Sequence, residues 1–90
     1  MNRKEMVEKN LELQYHLMMR MLEDPDSLDI PDDAETILLP EDDQPLREAN
    51  LRLGKRREKQ GKTVVYVDVK LVPETRTVVT AKLTVLPSQG

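Results

Sequence analysis

The amino-acid sequence predicts a two-layer α/β protein of the α+β type, in the order helix, strand, helix, strand, strand. Two segments have apolar residues at helical spacing, a short apolar run lies between them, and the last third alternates apolar and polar residues. A strand–helix–strand connection of this length favours a right-handed crossover between parallel strands, followed by an antiparallel hairpin. We therefore expect one 90-residue domain, with a three-stranded mixed sheet and both helices on one face.

The first predicted helix covers residues 3–23 and is apolar around much of its circumference. Asn2 caps its start, with Glu5 at the third helical position, and Pro25 ends it. Its apolar side chains sweep an arc of roughly 240°, whereas a helix that covers one sheet needs only about 100° or slightly more. The excess lies near the helix end and predicts an interface with another chain, formed by Leu17, Met18, Met19, Met21 and Leu22.

The middle of the chain predicts a buried strand over residues 35–39 and a second helix over 44–60. Pro40 closes the strand, and Pro45 lies in the first turn of the helix. Gly54, inside this helix, costs about 1 kcal/mol relative to alanine, so we expect the second half of the helix to be soft. Three neighbouring residues are candidates for the N-cap: Asp42, Asp43 and Gln44.

The last third of the sequence predicts two antiparallel strands, over residues 62–72 and 77–86, with a turn at residues 73–76. Valine and leucine at alternate positions give each strand one apolar face. A register that buries both apolar faces also brings opposite charges together on the other face. It opposes Val69 with Ala81, Val67 with Leu83, Asp68 with Lys82 and Tyr66 with Thr84.

The charges are segregated along the chain. Residues 23–43 hold ten acidic and no basic residues, whereas residues 47–62 hold seven basic and two acidic ones. A net charge of -3 and the scarcity of aromatic residues argue against nucleic-acid binding, which is possible but not favoured. The residues that would meet phosphates form a stripe along the second helix: Arg52, Lys55, Arg56 and Lys59.

Few residues of the sequence are suited to catalysis. There is no cysteine, and the one histidine, His16, falls on the polar side of the first helix. We therefore predict no catalytic residue and no cofactor.

The acidic segment matches an EF-hand loop at three positions only, and lacks its central glycine. Weak metal candidates remain there: Asp32, Asp33, Glu41, Asp42 and Asp43.

Two helical segments share the pattern E-x-N-L-x-L, which begins at Glu8 and at Glu48. The pattern places Asn10 and Asn50 inside helices, where asparagine is unfavourable. Two explanations of the repeat stay open: duplication of an αβ unit, and coincidence. We expect the asparagine side chains to bond backbone groups at the helix–sheet boundary or to point into water, rather than to contact a ligand.

Six short motifs are spread over the first two thirds of the chain: Asn10–Leu13, Leu22–Pro25, Ile30–Ala34, Leu39–Asp43, Asn50–Leu53 and Gly61–Val65. Together they are similar to a family of small prokaryotic proteins that is known as a domain of unknown function, and the similarity runs over residues 5–70. The resemblance implies a bacterial or archaeal cytoplasmic protein. It brings no activity, cofactor or catalytic residue.

These observations predict a non-enzymatic cytoplasmic protein that associates with itself as a dimer. The wide apolar arc of the first helix and the uncovered outer edge of the last strand both favour pairing with a second chain. Two alternatives stay open: nucleic-acid association through the basic stripe, and a metal-assisted phosphohydrolase that uses the acidic segment. No apolar run approaches the roughly 20 residues that cross a bilayer, so we expect no membrane partner.

Overall fold

The structure of the protein, a computed structural model, describes residues 2–73 and 79–87. Its elements are α1 (Arg3–Glu23), β1 (Glu35–Pro40), α2 (Gln44–Lys59), β2 (Val64–Pro73) and β3 (Val79–Val85). β1 pairs in parallel with β2, and β2 pairs antiparallel with β3. The predicted element order, mixed three-stranded sheet and α+β class are therefore confirmed.

Both helices begin at the caps that their sequences provide. The side chain of Asn2 accepts a hydrogen bond from the amide of Glu5 at 2.8 Å, as predicted for α1. At α2, Asp43 is the residue among the three candidates that acts as the N-cap, and it accepts from the amide of Leu46 at 3.2 Å. Gly61 follows α2 with a φ of 83°, a left-handed conformation that favours glycine.

The placement of the helices differs from the prediction, because they pack mainly against opposite faces of the sheet. α1 places Leu13 in a buried cluster with Val67. α2 packs Leu53 against a second cluster, which contains Tyr66. Since successive residues of a strand point to opposite faces, the two clusters lie on the two sides of the sheet. Leu46, in the first turn of α2, belongs to the α1 cluster.

A close contact between α2 and β2 accounts for this arrangement. A Cβ atom added at Gly54 would lie 2.5 Å from the ring of Tyr66, so glycine permits the helix to approach the strand. The Tyr66 hydroxyl donates a hydrogen bond to the carboxylate of Glu58. From the sequence, Gly54 was expected only to soften the second half of α2. In the structure, the lack of a side chain at Gly54 allows α2 to cover the face of the sheet opposite α1, which was expected to be open.

The hairpin of β2 and β3 has the predicted faces but a different register. Every predicted partner on β3 is wrong by two residues, a shift that keeps the same side chains on the buried face because side-chain direction alternates with a period of two. The predicted charge pair between Asp68 and Lys82 does not form. The observed pairs include Val67 with Val85, Asp68 with Thr84, Val69 with Leu83 and Lys70 with Lys82.

A long-range ion pair takes the place of the predicted charge pair. The carboxylate of Asp68 lies 2.7 Å from the guanidinium of Arg47 on α2, so its charge is neutralised without Lys82. Pro73, predicted as the first residue of the turn, is instead the last residue of β2 and lies opposite Val79. The predicted turn after Pro73 and the first two predicted residues of the last strand lie outside the described residues.

The free edge of β1 is capped by a side chain from α2. The amide of Glu35 donates to Thr63 on the β2 side, so the backbone groups of Leu38 point to the free edge. Asn50 donates from Nδ2 to the Leu38 carbonyl oxygen at 2.8 Å. This bond occupies an acceptor that an added strand would need.

The free edge of β3 is also partly covered, although the sequence predicted an uncovered edge there. The amide of Leu86 donates to the carbonyl of Tyr66, so the backbone groups of Ala81 point away from β2. Arg20 of α1 donates to the Ala81 carbonyl oxygen at 3.1 Å. Both edge strands thus have one outward carbonyl bound by a side chain, a common protection against edge-to-edge pairing.

Candidate functional site

The helix α1 has two apolar faces, and its own sheet covers only one of them. Leu13 is buried in the core, with Met6 and Leu17 packed beside it. The other face leaves large side chains in solvent. The exposed fractions are 61% for Leu11, 54% for Tyr15, 53% for Met18 and 71% for Leu22.

These four residues, which we call the outer seam, are spaced for packing against a second helix. The steps between Leu11, Tyr15, Met18 and Leu22 are four, three and four residues. Steps that alternate between three and four keep side chains on one line of a helix and are typical of the contact positions in coiled coils. Val7, which is 51% exposed, extends the apolar surface by one turn toward the start of α1.

A groove runs beside the outer seam. Its volume is about 570 Å³, and three of the seam residues line it: Leu11, Tyr15 and Met18. Thr36 and Leu38 of the edge strand β1 line it as well. The groove therefore joins an exposed helix face to the free edge of the sheet.

The five residues predicted for the interface divide between the two faces of α1. Met18 and Leu22 lie in the outer seam, and Met19 is exposed next to it. Leu17 packs against the core, and Met21 is half-buried at the groove. Leu11 and Tyr15 were not among the predicted interface residues. They belong to the wide apolar arc, but only the position of the sheet shows that they are exposed.

A comparison with protein families identifies the chain. One family model matches residues 5–81 and is described as a family of unknown function, DUF5647. The match extends over most of the sequence. The chain belongs to the DUF5647 family. This confirms the resemblance to a domain of unknown function, while the predicted prokaryotic origin stays a prediction. No curated protein and no solved structure matches the DUF5647 chain.

The basic stripe of the DUF5647 protein lies on the solvent side of α2. Its four residues, Arg52, Lys55, Arg56 and Lys59, are all exposed and line a common groove of about 430 Å³ together with Leu51. Within residues 2–73 and 79–87, none of the four forms a salt bridge. The Lys55 ammonium lies 5.6 Å from the centre of the Tyr66 ring, a cation–π distance.

Tyr66 links this surface to the core of the sheet. Its ring is buried between α2 and β2, and its hydroxyl reaches Glu58. Burial, together with the neighbouring Glu58 carboxylate, raises the pKa of Tyr66 to about 12. The residue is therefore held in its neutral form, and its hydroxyl serves as a hydrogen-bond donor in the packing of α2.

The structure does not bring the predicted metal candidates together. Among the residues that it describes, no three His, Asp or Glu side chains form a group that could hold a metal ion. Asp43 caps α2 and lies 2.8 Å from the Lys9 ammonium. The hydrogen bond from Lys9 holds the pKa of Asp43 below its ordinary value, and the same bond raises the pKa of Lys9. The other candidates, Asp32, Asp33, Glu41 and Asp42, are exposed.

The structure also describes the surroundings of the histidine and of the helix asparagines that the sequence singled out. His16 is half-buried, with its ring 5.7 Å from that of Tyr15 in an edge-to-face arrangement. The expected backbone bond of an asparagine is confirmed at Asn50, which donates to the carbonyl of Leu38. No helix in the described part of the chain has the length and apolar character needed to cross a bilayer.

Proposed function

We propose that this DUF5647 protein is a self-associating, non-enzymatic interaction module that forms a dimer through the outer seam of α1. The observation that carries the proposal is the exposure of four large side chains at coiled-coil spacing on a helix whose other face is already packed. The lack of cysteine is compatible with a reducing compartment, and we place the protein in the cytoplasm.

The physical case for a dimer is the cost of leaving the seam in water. Burying one large aliphatic side chain contributes about 1.5–3 kcal/mol, and a contiguous exposed apolar patch is a mark of an interaction surface. The sheet edges are less suitable for pairing, since Leu38 and Ala81 have their outward carbonyls occupied. The seam is therefore the surface that gains most from a second chain.

Size-exclusion chromatography with light scattering tests the proposal at micromolar concentration. We expect a dimer for the natural sequence. Met18→Glu or Leu22→Glu should raise the dimer Kd by at least about tenfold, because a charge would replace a buried apolar contact. Leu51→Glu is the matched control, since Leu51 is an exposed leucine on α2, away from the seam. A monomeric natural protein would contradict the proposal.

Nucleic-acid association is a second candidate, favoured by the exposed basic stripe and its groove. Four cations within two turns of α2 form a local positive surface on an otherwise acidic protein. The double change Arg52→Glu/Arg56→Glu should abolish a salt-dependent mobility shift of DNA or RNA at about 50 mM salt. Lys70→Glu/Lys82→Glu, which reverses two exposed charges on the sheet, is the control. Absence of any shift with the natural protein would end this hypothesis.

A further inference from the structure

We infer that the second copy binds with its α1 antiparallel to the first, about a two-fold axis that passes between Tyr15 and Met18. Leu11 then packs against Leu22 of the second copy, and Tyr15 packs against Met18 of the second copy. This inference rests on the proposed function, because it specifies how the outer seam pairs.

The spacing of the outer seam is self-complementary. A two-fold interface uses the same patch on both chains, so each residue must meet its partner in reversed order. The steps of four, three and four residues remain the same when the direction is reversed. In this alignment all four seam residues meet a seam residue of the other copy, whereas a shift by one heptad leaves only two of them matched.

The charges at the two ends of α1 favour the antiparallel direction. Arg3 and Lys4 are exposed in the first turn, and Glu23 and Asp24 are exposed where the helix ends. In this register Arg3 and Lys4 of one copy lie just beyond the acidic end of the α1 of the other copy, and the antiparallel direction also brings opposite ends of the two helix dipoles together. A parallel pair would place Lys4 beside Lys4, and Glu8 beside Glu8, of the two copies.

The groove beside the seam fits a helix as its occupant. Thr36 and Leu38 form its side toward the sheet, and the outward carbonyl of Leu38 already accepts a hydrogen bond from Asn50. A strand added at this edge would have to displace that bond, whereas a helix satisfies its own backbone groups. The two-fold axis makes the arrangement reciprocal, because each α1 lies in the groove of the other copy.

Distances between spin labels on α1 test the direction of packing. The chain has no cysteine, so Glu8→Cys and Glu23→Cys each give one labelling site per copy at an exposed position of α1. With a rise of 1.5 Å per residue, the antiparallel pair separates the two labels at position 8 by about 26 Å along the axis, and those at position 23 by about 20 Å. A parallel pair gives about 10 Å at both positions, the distance between packed helix axes.

Each outcome decides between specific alternatives. The expected result is a longer distance at position 8 than at position 23, by about 6 Å, in a sample that light scattering shows to be dimeric. Dilution with unlabelled protein must remove both distances. A dimer with about 10 Å at both positions, or with position 23 the more distant, overturns this inference while the proposed self-association stands. A monomer overturns both.

Discussion

Asn10 and Asn50 exchange hydrogen bonds across the edge of the sheet. Asn50 Nδ2 donates to Asn10 Oδ1 at 2.8 Å, and Asn10 Nδ2 donates to Asn50 Oδ1 at 3.3 Å. The same nitrogen of Asn50 also donates to the carbonyl oxygen of Leu38. One pair of side chains thus joins α1, α2 and β1, which explains two asparagines in helix interiors where the residue is otherwise unfavourable.

Removal of the Asn50 side chain should destabilise the protein more than removal of the Asn10 side chain. Asn50→Ala leaves the Leu38 carbonyl and the Asn10 amide without their partner, and an unsatisfied buried polar group costs about 1–3 kcal/mol. Asn10→Ala should cost less, because Asn10 is only half-buried and the bond from Asn50 to Leu38 survives. Urea unfolding measures both changes. Equal losses for the two variants would contradict the role assigned to the Leu38 bond.

Gly54→Ala should destabilise α2, against the usual effect of alanine in a helix. Helix propensity alone predicts a gain of about 1 kcal/mol. The added Cβ would meet the Tyr66 ring at 2.5 Å, and overpacking of this kind costs about 1–3 kcal/mol. The midpoint of urea unfolding should therefore fall.

A double-mutant cycle separates these two effects. In a Tyr66→Leu background the ring atoms that face Gly54 are absent, so the same Gly54→Ala change should stabilise the protein or leave it unchanged. If Gly54→Ala were equally destabilising in both backgrounds, the contact with Tyr66 would not be its cause.

The raised pKa of Tyr66 should make the protein less stable in alkaline solution. Its pKa is about 12 in the folded protein and near its ordinary value of 10.0 in the unfolded chain. The unfolded chain therefore releases this proton first, and the free energy of unfolding decreases as the pH rises from about 10 to about 12. Below pH 10 the contribution is fully present. Tyr66→Phe should remove this part of the pH dependence.

The titration can be followed directly by tyrosinate absorbance. The chain has two tyrosines, so Tyr15→Phe isolates the signal of Tyr66. A midpoint near pH 10 in the folded Tyr15→Phe variant would show that burial and Glu58 do not hold Tyr66 in its neutral form.

Local sequence patterns predicted the elements well, but they did not predict how the elements meet. Asn2, Asp43 and the prolines carry their information within a few residues, and the helix starts agree with them. The predicted register of β3 relied on a pairing of Asp68 with Lys82, but Asp68 pairs instead with Arg47, which is distant from it in the sequence. Because a shift by two residues leaves the apolar alternation intact, the pattern alone could not distinguish the two registers.

Only part of the outer seam was predicted, again because local patterns do not show how the elements meet. Periodicity showed that α1 is too apolar for one sheet, but not which of its apolar residues the sheet covers. Leu17 faces inward, whereas Leu11 and Tyr15 face outward. The three-four spacing of the outer seam is present in the sequence, but it becomes visible only when the inward-facing residues are set aside.

Arg20 protects the outer edge of the sheet, and its removal should promote strand-to-strand association. The guanidinium binds the outward carbonyl of Ala81, which a second β3 would otherwise use for pairing. Arg20→Ala frees this acceptor and removes a positive charge from beside the edge. We expect turbidity and thioflavin fluorescence to increase faster at 37 °C than in the natural protein. Arg3→Ala, a matched loss of an exposed arginine in the first turn of α1, should leave both rates unchanged. Identical rates for the two variants would show that net charge, and not the bond to Ala81, controls aggregation.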